Sequence, residues 1–336
     1  MKAILILSHQ DDDSTNNVIE WLVSYNAKFV RINTEDEIDV LLKITNLQES
    51  IFLKCNGELI NIEDIGAVWF RRGWLSIPFA SPEMEEVSEG IYAKIIQHLK
   101  NERDAIISFI FDQLKRKPHI NFHSSYDVNK LSVLMAAKKH GILIPDTIIT
   151  RDPNVINNLN SVKDCYISKC ITNGLSIKIG ENYMSFSSTF SVDDENVITN
   201  VSEYYYSLFQ TNIPKKYELR IFFLFDKYYP AAIIPGNNDS VDGRILDVKT
   251  VTGLEVKRVL PIDIPTEIIR RLKLLMKELH LESGSIDMIV TPDDEYVFLE
   301  VNPVGQYDYV GKRCNYQLDK EIALTLIKMN NDKATI

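Results

Sequence analysis

The sequence predicts a mixed α/β (α+β) fold built from two or three compact units, and three observations support this. Residues 3–7, 16–25 and 28–32 read as a strand, a helix and a second strand. A long pattern over residues 82–114 repeats apolar side chains at helical spacing. Residues 285–302 alternate in the manner of a two-stranded hairpin. A chain of 336 residues is long enough to give each unit its own core.

Breaks in these patterns predict where the units begin and end. The Lys-Arg-Lys-Pro run at residues 115–118 ends the long helix, so the first domain is expected over residues 1–118. A second unit, 119–200, would begin with a helix capped by Ser124 or Ser125 and ended by His140 and Gly141. A third unit, 201–336, would contain a strand at 217–224, a helix at 268–279, the hairpin and a helix at 318–329.

Composition and charge exclude several classes of protein. The net charge of −10 lacks the basic footprint of a nucleic-acid-binding protein, so no nucleic-acid partner is expected. The chain contains no apolar run of the roughly 18 residues that a membrane span requires, and its start is too quickly acidic for a signal peptide. The four cysteines show no metal or redox spacing, which favours reduced thiols and a cytoplasmic location.

The predicted hairpin is the most informative segment of the chain. With residues 292–295 as its loop, Thr291 faces Tyr296 and Asp287 lies directly opposite Glu300. Side chains alternate between the two faces of a strand. One face is then apolar, with Ile286, Met288, Val290, Val297, Leu299 and Val301. The other face carries Ser285, Asp287, Ile289, Phe298, Glu300 and Asn302.

The facing carboxylates of this hairpin indicate a cation site. Asp287 and Glu300 would repel each other across the strand pair without a cation between them. Oxygen ligands from these two residues and Asn302 suit Mg²⁺, which prefers one or two carboxylates together with substrate phosphates. The pattern therefore indicates a magnesium–nucleotide site, with a solvated acidic edge as the alternative.

Four basic residues stand in positions that favour anion binding. Arg220 interrupts an apolar strand, where a guanidinium needs a bidentate anion. Lys169 lies within a strand before a small turn, although an edge lysine extending to solvent fits equally. Arg244 follows a segment rich in glycine and aspartate, the best candidate for a mobile loop. Lys130 stands early in its helix, where a solvent-facing role is the alternative.

Together these motifs resemble the ATP-grasp superfamily. The resemblance rests on the helix and strand lysines, the strand arginine, Asp287, the Glu-x-Asn motif at 300–302 and the segment Gln210-Thr-Asn-Ile213. Three further motifs look like those of the peptide maturases that make graspetides, the microviridin-type ligases, and the "grasp-with-spasm" branch is closest. They are Val68-Trp-Phe-Arg-Arg72, Asn302-Pro-Val-Gly-Gln-Tyr307 and Cys314-Asn-Tyr316. The resemblance covers nearly the whole chain and implies an ATP-grasp fold after an N-terminal pre-ATP-grasp α/β domain.

The resemblance also implies roles for individual residues. Asp287, Glu300 and Asn302 would hold two Mg²⁺ ions, while Lys130 and Lys169 would bind the phosphates of ATP. The implied adenine hinge is the backbone of Gln210, Thr211 and Asn212. Arg220 and Arg244 would steady the transferred phosphoryl group and the acyl phosphate. No acid follows the hinge immediately to bind the ribose, so that contact stays open among Lys215, Lys216 and Glu218, and Lys215 is counted with the nucleotide-binding residues.

The implied reaction is the ATP-dependent ligation of side chains within one ribosomal precursor peptide. An Asp or Glu carboxylate becomes an acyl phosphate, and a Thr or Ser hydroxyl (or a Lys amine) attacks it to form an ester or amide macrocycle. The precursor would have a docking leader and a core rich in Thr/Ser and Asp/Glu. Arg71 and Arg72 are candidate hosts for the acidic core, with a solvated pair at a strand end as the alternative. Related ligases suggest a homodimer.

Two other functions share parts of this pattern. An amino-acid or glutamate ligase for small molecules would have the same ATP site. A nucleotide-binding scaffold without chemistry would present the peptide to another enzyme, although the complete Asp287, Glu300 and Asn302 set argues against it.

Overall fold

The N-terminal third of the chain folds around a parallel sheet. We describe the protein from a computed structural model, which covers residues 2–79, 88–122, 124, 128–160, 166–172, 175–179, 182–186, 189–191, 205–234 and 258–332. The first elements are β1 (Ala3–Ser8), α1 (Asp13–Ser24), β2 (Phe29–Asn33), β3 (Ile38–Ile44), β4 (Glu49–Cys55), β5 (Glu58–Asn61), β6 (Ile65–Phe70), α2 (Glu89–Lys115) and β7 (His119–Ile120). The parallel strands lie in the order β2-β1-β6-β7. The predicted strand–helix–strand start is confirmed.

Both faces of this sheet are covered, as a parallel sheet requires. The six residues of β1 are all buried. On one face, Leu5 and Leu7 pack with β4, β5 and the C-terminal half of α2. The other face holds Ile4 and Ile6, which pack against α1 and against a helix from the far end of the chain, Leu318–Asn331. Each fully buried aliphatic or aromatic side chain contributes about 1.5–3 kcal/mol to such a core.

The small antiparallel sheet β3-β4-β5 was not predicted from the sequence. Its second turn is formed by Asn56 and Gly57, with φ angles of 50° and 84°. Positive φ at both central residues is what a tight hairpin turn of this kind requires. Leu53 and Ile60 pair across β4 and β5 and are buried in the core of the N-terminal third.

The middle of the chain forms a second antiparallel sheet and a separate hairpin. Its elements are α3 (Lys130–Lys139), β8 (Thr147–Thr150), α4 (Pro153–Asn160), β9 (Tyr166–Lys169), β10 (Leu175–Ile179), β11 (Asn182–Phe186), β12 (Phe190–Ser191) and β13 (Ser207–Thr211). The sheet order is β12-β9-β13-β8, and β10 pairs with β11. Gly141 has a φ of 72° just beyond α3, as predicted.

The predicted cap of α3 was wrong. The side chain of Asn129, rather than that of Ser124 or Ser125, accepts hydrogen bonds from the backbone N–H groups of Leu131 and Ser132. Asparagine caps a helix as well as serine does. The helix therefore begins at Lys130, which places that lysine in the first turn.

The C-terminal part of the chain builds the sheet that carries the candidate site. Its elements are β14 (Tyr217–Leu224), β15 (Lys227–Ile234), β16 (Arg258–Pro261), α5 (Thr266–Glu278), β17 (Ser283–Val290), β18 (Tyr296–Asn302), α6 (Asp308–Cys314) and α7 (Leu318–Asn331). The strands lie antiparallel in the order β16-β15-β14-β17-β18. Helices α3 and α5 cover one face, where Leu219, Ile286 and Phe298 are buried.

The register of the β17–β18 hairpin confirms one prediction and corrects another. Asp287 lies opposite Glu300, as predicted, but Val290 rather than Thr291 faces Tyr296. The loop is therefore one residue longer than predicted, and an irregularity between Asp287 and Met288 restores the register. A β-bulge of this kind opposes two residues to one.

The extra residue changes which side chains face the core. The core face was predicted to include Val297 and Leu299 but not Phe298. In the structure Phe298 lies opposite Met288 and is fully buried beneath α3 and α5, while Leu299 is only half-buried. The predicted assignment of Phe298 to the polar face was wrong, because strict alternation fails at a bulge.

No helix in the described parts of the chain is both long and apolar enough to cross a membrane.

Candidate active site

Three charged residues form one row across the face of the C-terminal sheet that α3 and α5 leave uncovered. Arg220 on β14 lies opposite Asp287 on β17, and Asp287 lies opposite Glu300 on β18. The Arg220 Nε and Nη2 groups donate hydrogen bonds to the two carboxylate oxygens of Asp287 at 2.7 and 2.8 Å. This is the bidentate geometry that an arginine within an apolar strand requires.

Glu300 carries the second ion pair of this row. The Nζ atom of Lys130, in the first turn of α3, lies 3.3 Å from the Glu300 Oε2 atom. Both side chains are partly exposed, at 25% and 22%. Each of the two facing carboxylates thus has a cation beside it, which offsets the repulsion expected across the strand pair. Asp287, Glu300, Arg220 and Lys130 are brought together as the sequence predicts.

The electrostatic field of the row acts on Arg220. Burial alone would lower the pKa of this guanidinium, but the hydrogen bonds and charge of Asp287 outweigh it, with further contributions from Glu300 and Glu218. The resulting pKa lies above the ordinary value, so Arg220 stays charged at any working pH. The site therefore presents a fixed positive charge beside two carboxylates.

Asn302 lies in the adjoining row of the same face, opposite Ser285. Its Oδ1 atom accepts a hydrogen bond from the backbone N–H of Val304 at 3.1 Å, and the residue is exposed. The Ser285 hydroxyl is buried, and it has no hydrogen-bond partner among the described residues. Asp287, Glu300 and Asn302 thus occupy neighbouring positions on β17 and β18.

The predicted nucleotide-binding residues of the middle region lie on the other antiparallel sheet. Lys169 on β9 pairs with Leu208, and Gln210 and Thr211 lie within β13 between β8 and β9. Asn212 follows the end of that strand and is exposed. The Gln210 side chain is 1% exposed and donates to the Thr147 hydroxyl at 2.9 Å.

Lys215 lies between the two sheets along the chain. Its Nζ atom is 2.6 Å from the Glu218 Oε1 atom. Glu218 is two residues before Arg220 on β14 and so shares its face of the sheet. The pair places the predicted ribose-contact residues at the end of the candidate site, and the contact itself stays a prediction.

Arg71 and Arg72, predicted to bind the acidic core, follow the end of β6 and reach the segment after the hairpin. The Arg71 Nη1 atom donates to the carbonyl oxygens of Val304 and Gly305 at 3.0 and 3.3 Å. The Arg72 Nη2 atom donates to the same Val304 oxygen at 2.9 Å. Arg71 is buried, whereas Arg72 is partly exposed.

The pKa of Arg72 is lowered, first by burial and then by the charge of Arg71, with Asp12 opposing both. Asp12 itself is buried 3.1 Å from the Arg71 Nε atom. No role for Asp12 was predicted from the sequence. An aspartate at the start of a helix was the available signal.

The predicted site residue Arg244 lies outside the described residues. The predicted mobile loop before it, at 236–243, also lies outside them. The described part of the chain contains no group of three or more His, Cys, Asp or Glu side chains arranged to hold a metal. Asp287, Glu300 and Asn302 offer two carboxylates and one amide, an incomplete cage of the kind that Mg²⁺ completes with phosphate oxygens.

The overall architecture defines the class of protein. Across nearly its full length, the chain has the fold of ATP-grasp ligases. The RiPP-associated ATP-grasp ligase of Chryseobacterium gregarium, solved with ADP and a leader and core peptide, is 23% identical, with a TM-score of 0.76 over 98% of this chain and 97% of that one. Macrocyclase MdnC of Microcystis aeruginosa MRC, solved with precursor peptide MdnA, is 23% identical, with a TM-score of 0.71 over 98% and 100%. PsnB, an ATP-grasp ligase solved with minimal precursor, Mg and ADP, is 16% identical, with a TM-score of 0.70 over 98% and 97%.

The N-terminal part of the chain matches a known domain family. Residues 3–127 match the family model described as the MvdD pre-ATP grasp domain. The chain therefore carries an MvdD-type pre-ATP-grasp domain joined to an ATP-grasp fold, and the resemblance predicted from the sequence is confirmed. A comparison with curated protein sequences gives no match.

Proposed function

We propose that this protein is an ATP-dependent ligase that joins side chains within a ribosomal precursor peptide to form macrocycles. The observation that carries the proposal is the row of Arg220, Asp287 and Glu300 with Lys130 beside it. The peptide substrate is supported by the MvdD-type N-terminal domain and by the ATP-grasp ligases of the same fold that were solved with precursor peptides.

The donor set of the row fits magnesium and a nucleotide. Asp287, Glu300 and Asn302 would hold the metal, and the resemblance to ATP-grasp ligases implies two ions. Mg²⁺ would neutralise the charge of the β- and γ-phosphates. The cations that now face these carboxylates, Arg220 and Lys130, are also the groups expected to bind phosphate oxygens. On the other sheet, the buried Gln210 Oε1 atom lacks a partner among the described residues, so a polar acceptor remains available beside the proposed adenine hinge at 210–212.

The proposed chemistry has two steps. A carboxylate oxygen of a peptide Asp or Glu attacks the γ-phosphorus of ATP, and the bond to the β-phosphate oxygen breaks to release ADP. A peptide hydroxyl or amine then attacks the carbonyl carbon of the acyl phosphate, loses its proton, and expels inorganic phosphate. Positioning and charge neutralisation supply most of the rate in such transfers.

The chain's own residues would act mainly by charge and orientation. Arg220 is a permanent cation on a rigid strand, and a preorganised cation stabilises charge that develops in a transition state. We propose the same role for Arg244. Lys130 and Lys169 would orient the phosphates, and Lys215 would contact the ribose.

Arg72 is the better placed of the two arginines for the acidic core. It is partly exposed, and its buried Nε atom lacks a partner among the described residues. A substrate contact by Arg72 predicts that Arg72→Lys raises the KM for the peptide more than it lowers kcat. Arg71 is far less accessible, because its side chain is buried.

The decisive experiment combines the protein with ATP, Mg²⁺ and a precursor peptide whose core is rich in Thr/Ser and Asp/Glu. Mass spectrometry should show the loss of one water for each link, together with one ADP formed. Hydroxylamine cleaves esters and leaves amides, so it distinguishes the two products. ADP formation with free amino acids but not with peptide would favour the small-molecule ligase. Nucleotide binding without any ADP formation would favour the scaffold. A homodimer and a cytoplasmic location complete the proposal.

A further inference from the structure

The N-terminal sheet contains a crevice that lies apart from the row of Arg220, Asp287 and Glu300. In the order β2-β1-β6-β7, the chain moves from β1 to one side and then returns to place β6 on the other. The carboxyl ends of β1 and β6 therefore form a topological switch point, where open α/β sheets bind ligands. Ser8 ends β1 here, and Arg71 and Arg72 follow the end of β6.

In this protein the crevice holds a segment of the chain itself. Residues 303–307, which follow the hairpin, lie against it through the bonds of Arg71 and Arg72 to the Val304 and Gly305 carbonyls. The Ser14 hydroxyl donates to the Gln306 side chain at 3.2 Å. The Arg71 guanidinium lies 5.3 Å from the centre of the buried Tyr307 ring, a cation–π contact.

A buried ion pair between Asp12 and Arg71 holds the arginine that binds this segment. Asp12 and Arg71 are each 4% exposed. The Asp12 Oδ2 atom also accepts from the Thr15 hydroxyl at 2.6 Å and from the Ser8 hydroxyl at 3.4 Å. A buried ion pair is costly to leave half-made, so it fixes the orientation of the groups that it joins. The Arg71 fork is therefore held in place while it binds two backbone carbonyls.

The anchored segment is joined directly to the candidate site. Asn302 is the last residue of β18, and the backbone N–H of Gly305 donates to its carbonyl at 3.0 Å. The Asn302 side chain accepts from the Val304 N–H in the same turn. A Cβ atom at Gly305 would lie 2.7 Å from the Ser285 Cβ atom, so the segment packs against β17 with no room for a side chain.

We propose that Arg71 and Asp12 are positioning residues: by fastening residues 304–305 in the β1–β6 crevice, they set the placement of Asn302 and Glu300 relative to Asp287. The inference rests on the proposed function, because it assigns those three residues to a metal–nucleotide site. It gives Arg71 a role that requires no contact with the peptide. Arg71 acts through the backbone that follows the metal-binding strand.

The test is the affinity for ADP measured by calorimetry with and without Mg²⁺. Arg71→Lys keeps the charge but cannot bridge Asp12 and both carbonyls at once, because an ammonium lacks the planar fork. We expect it to weaken Mg²⁺-dependent ADP binding about tenfold, the lower end of the loss seen when groups that orient metal ligands are removed. ADP binding without Mg²⁺ should change less than about twofold. Arg116→Lys, on the exposed end of α2, is the matched control and should behave as wild type.

A second variant keeps the test decisive if Arg71→Lys does not fold. Gly305→Ala leaves Asp12 and Arg71 untouched but forces the segment away from Ser285, and it should show the same selective loss of Mg²⁺-dependent binding. Thermal unfolding of each variant identifies any that is globally destabilised. The proposal is overturned if a folded Arg71→Lys or Gly305→Ala protein binds Mg²⁺–ADP within twofold of wild type. Neither peptide nor turnover enters this measurement, so failure of wild type to ligate a peptide would count against the proposed function alone.

Discussion

Arg220 and Asp287 lie directly opposite each other on β14 and β17 and share two hydrogen bonds, at 2.7 and 2.8 Å. The pair stands one strand from Glu300, whose own partner is Lys130. In this arrangement each carboxylate proposed to bind metal is paired with a cation proposed to bind phosphate. At the proposed site, binding of Mg²⁺–ATP would therefore exchange these partners: the carboxylates would turn from the cations to the metal, and the cations would turn to the phosphates.

Asp287→Asn should nearly abolish magnesium-dependent ATP turnover. The amide keeps the shape of the side chain but loses the charge that the metal requires. The loss should exceed about 100-fold, the upper end of the cost of removing a group that only orients a metal ligand. Steady-state ADP formation at saturating peptide measures the effect. Asp293→Asn is the matched control, because Asp293 lies in the exposed turn of the same hairpin. Equal activity of the two variants would contradict the proposed metal ligand.

Lys130→Met should change two affinities in opposite directions. The substitution removes the ammonium that lies 3.3 Å from Glu300 and would compete with a metal for that carboxylate, so binding of free Mg²⁺ should strengthen. Binding of ATP should weaken by about tenfold, because a phosphate-binding cation is lost. Titrations with Mg²⁺ alone and with ATP measure the two effects. Lys138→Met, in the exposed last turn of α3, is the control. A change of both affinities in the same direction would show that Lys130 does not compete with the metal.

The bulge in β18 predicts unequal costs for two neighbouring truncations. Phe298 is fully buried beneath α3 and α5, so Phe298→Ala should lower the free energy of unfolding by about 3–5 kcal/mol. Leu299 is only half-buried, so Leu299→Ala should cost less than about 2 kcal/mol. Urea unfolding of both variants compares them directly. The reverse order would mean that the hairpin alternates strictly and has no bulge.

The raised pKa of Glu282 predicts that removing its charge stabilises the protein in a pH-dependent way. Its Oε2 atom accepts from the Asn121 N–H at 2.9 Å, and burial raises its pKa above the ordinary 4.5 despite the opposing effects of His119, the backbone hydrogen bonds and His280. A carboxyl whose folded pKa is raised contributes stability that is lost as pH rises from the unfolded value through the folded one. Glu282→Gln should therefore raise the free energy of unfolding at about pH 7 and leave it nearly unchanged at about pH 4.

Glu278, whose pKa is lowered instead of raised, supplies the control for the Glu282 prediction. The pKa of Glu278 is lowered by hydrogen bonds from Lys139 and His140, so Glu278→Gln should reduce stability at neutral pH and not at acid pH. Denaturant titrations of both variants at the two pH values give the comparison. A neutral-pH gain from both substitutions would point to relief of general negative charge instead of a specific effect at Glu282.

The sequence was sufficient for the pairing of Asp287 with Glu300, but for a partly accidental reason. The loop is one residue longer than predicted, which shifts the strand pairing by one position, and the extra residue of the bulge in β18 shifts it back. Asp287 therefore still pairs with Glu300. The two shifts do not cancel at Phe298, whose face was predicted wrongly. A bulge depends on how the strand packs under α3 and α5, and alternation alone does not reveal it.

For other features too, a physical reason decides whether the sequence could predict them. The Asn56-Gly57 pair is a strong local hairpin signal and would have revealed the β4–β5 turn. The environment of Arg71 could not be read locally. Asp12 lies 59 positions away and Val304 lies 233 positions away, so only the tertiary fold shows that this arginine faces inward. Local patterns predict elements, whereas the burial of a charge depends on which elements meet.

The packing of α7 on the N-terminal sheet has a consequence for synthesis. Ile4 and Ile6 are made first, but Leu318, Ile322 and Leu326, which help to cover them, emerge more than 300 residues later. At about 5–20 residues per second, one face of the nascent sheet stays incompletely covered on the ribosome for roughly tens of seconds. The N-terminal domain can therefore bury this face fully only after the C-terminal part of the chain has been translated, and a chaperone that shields apolar strands would act during that interval.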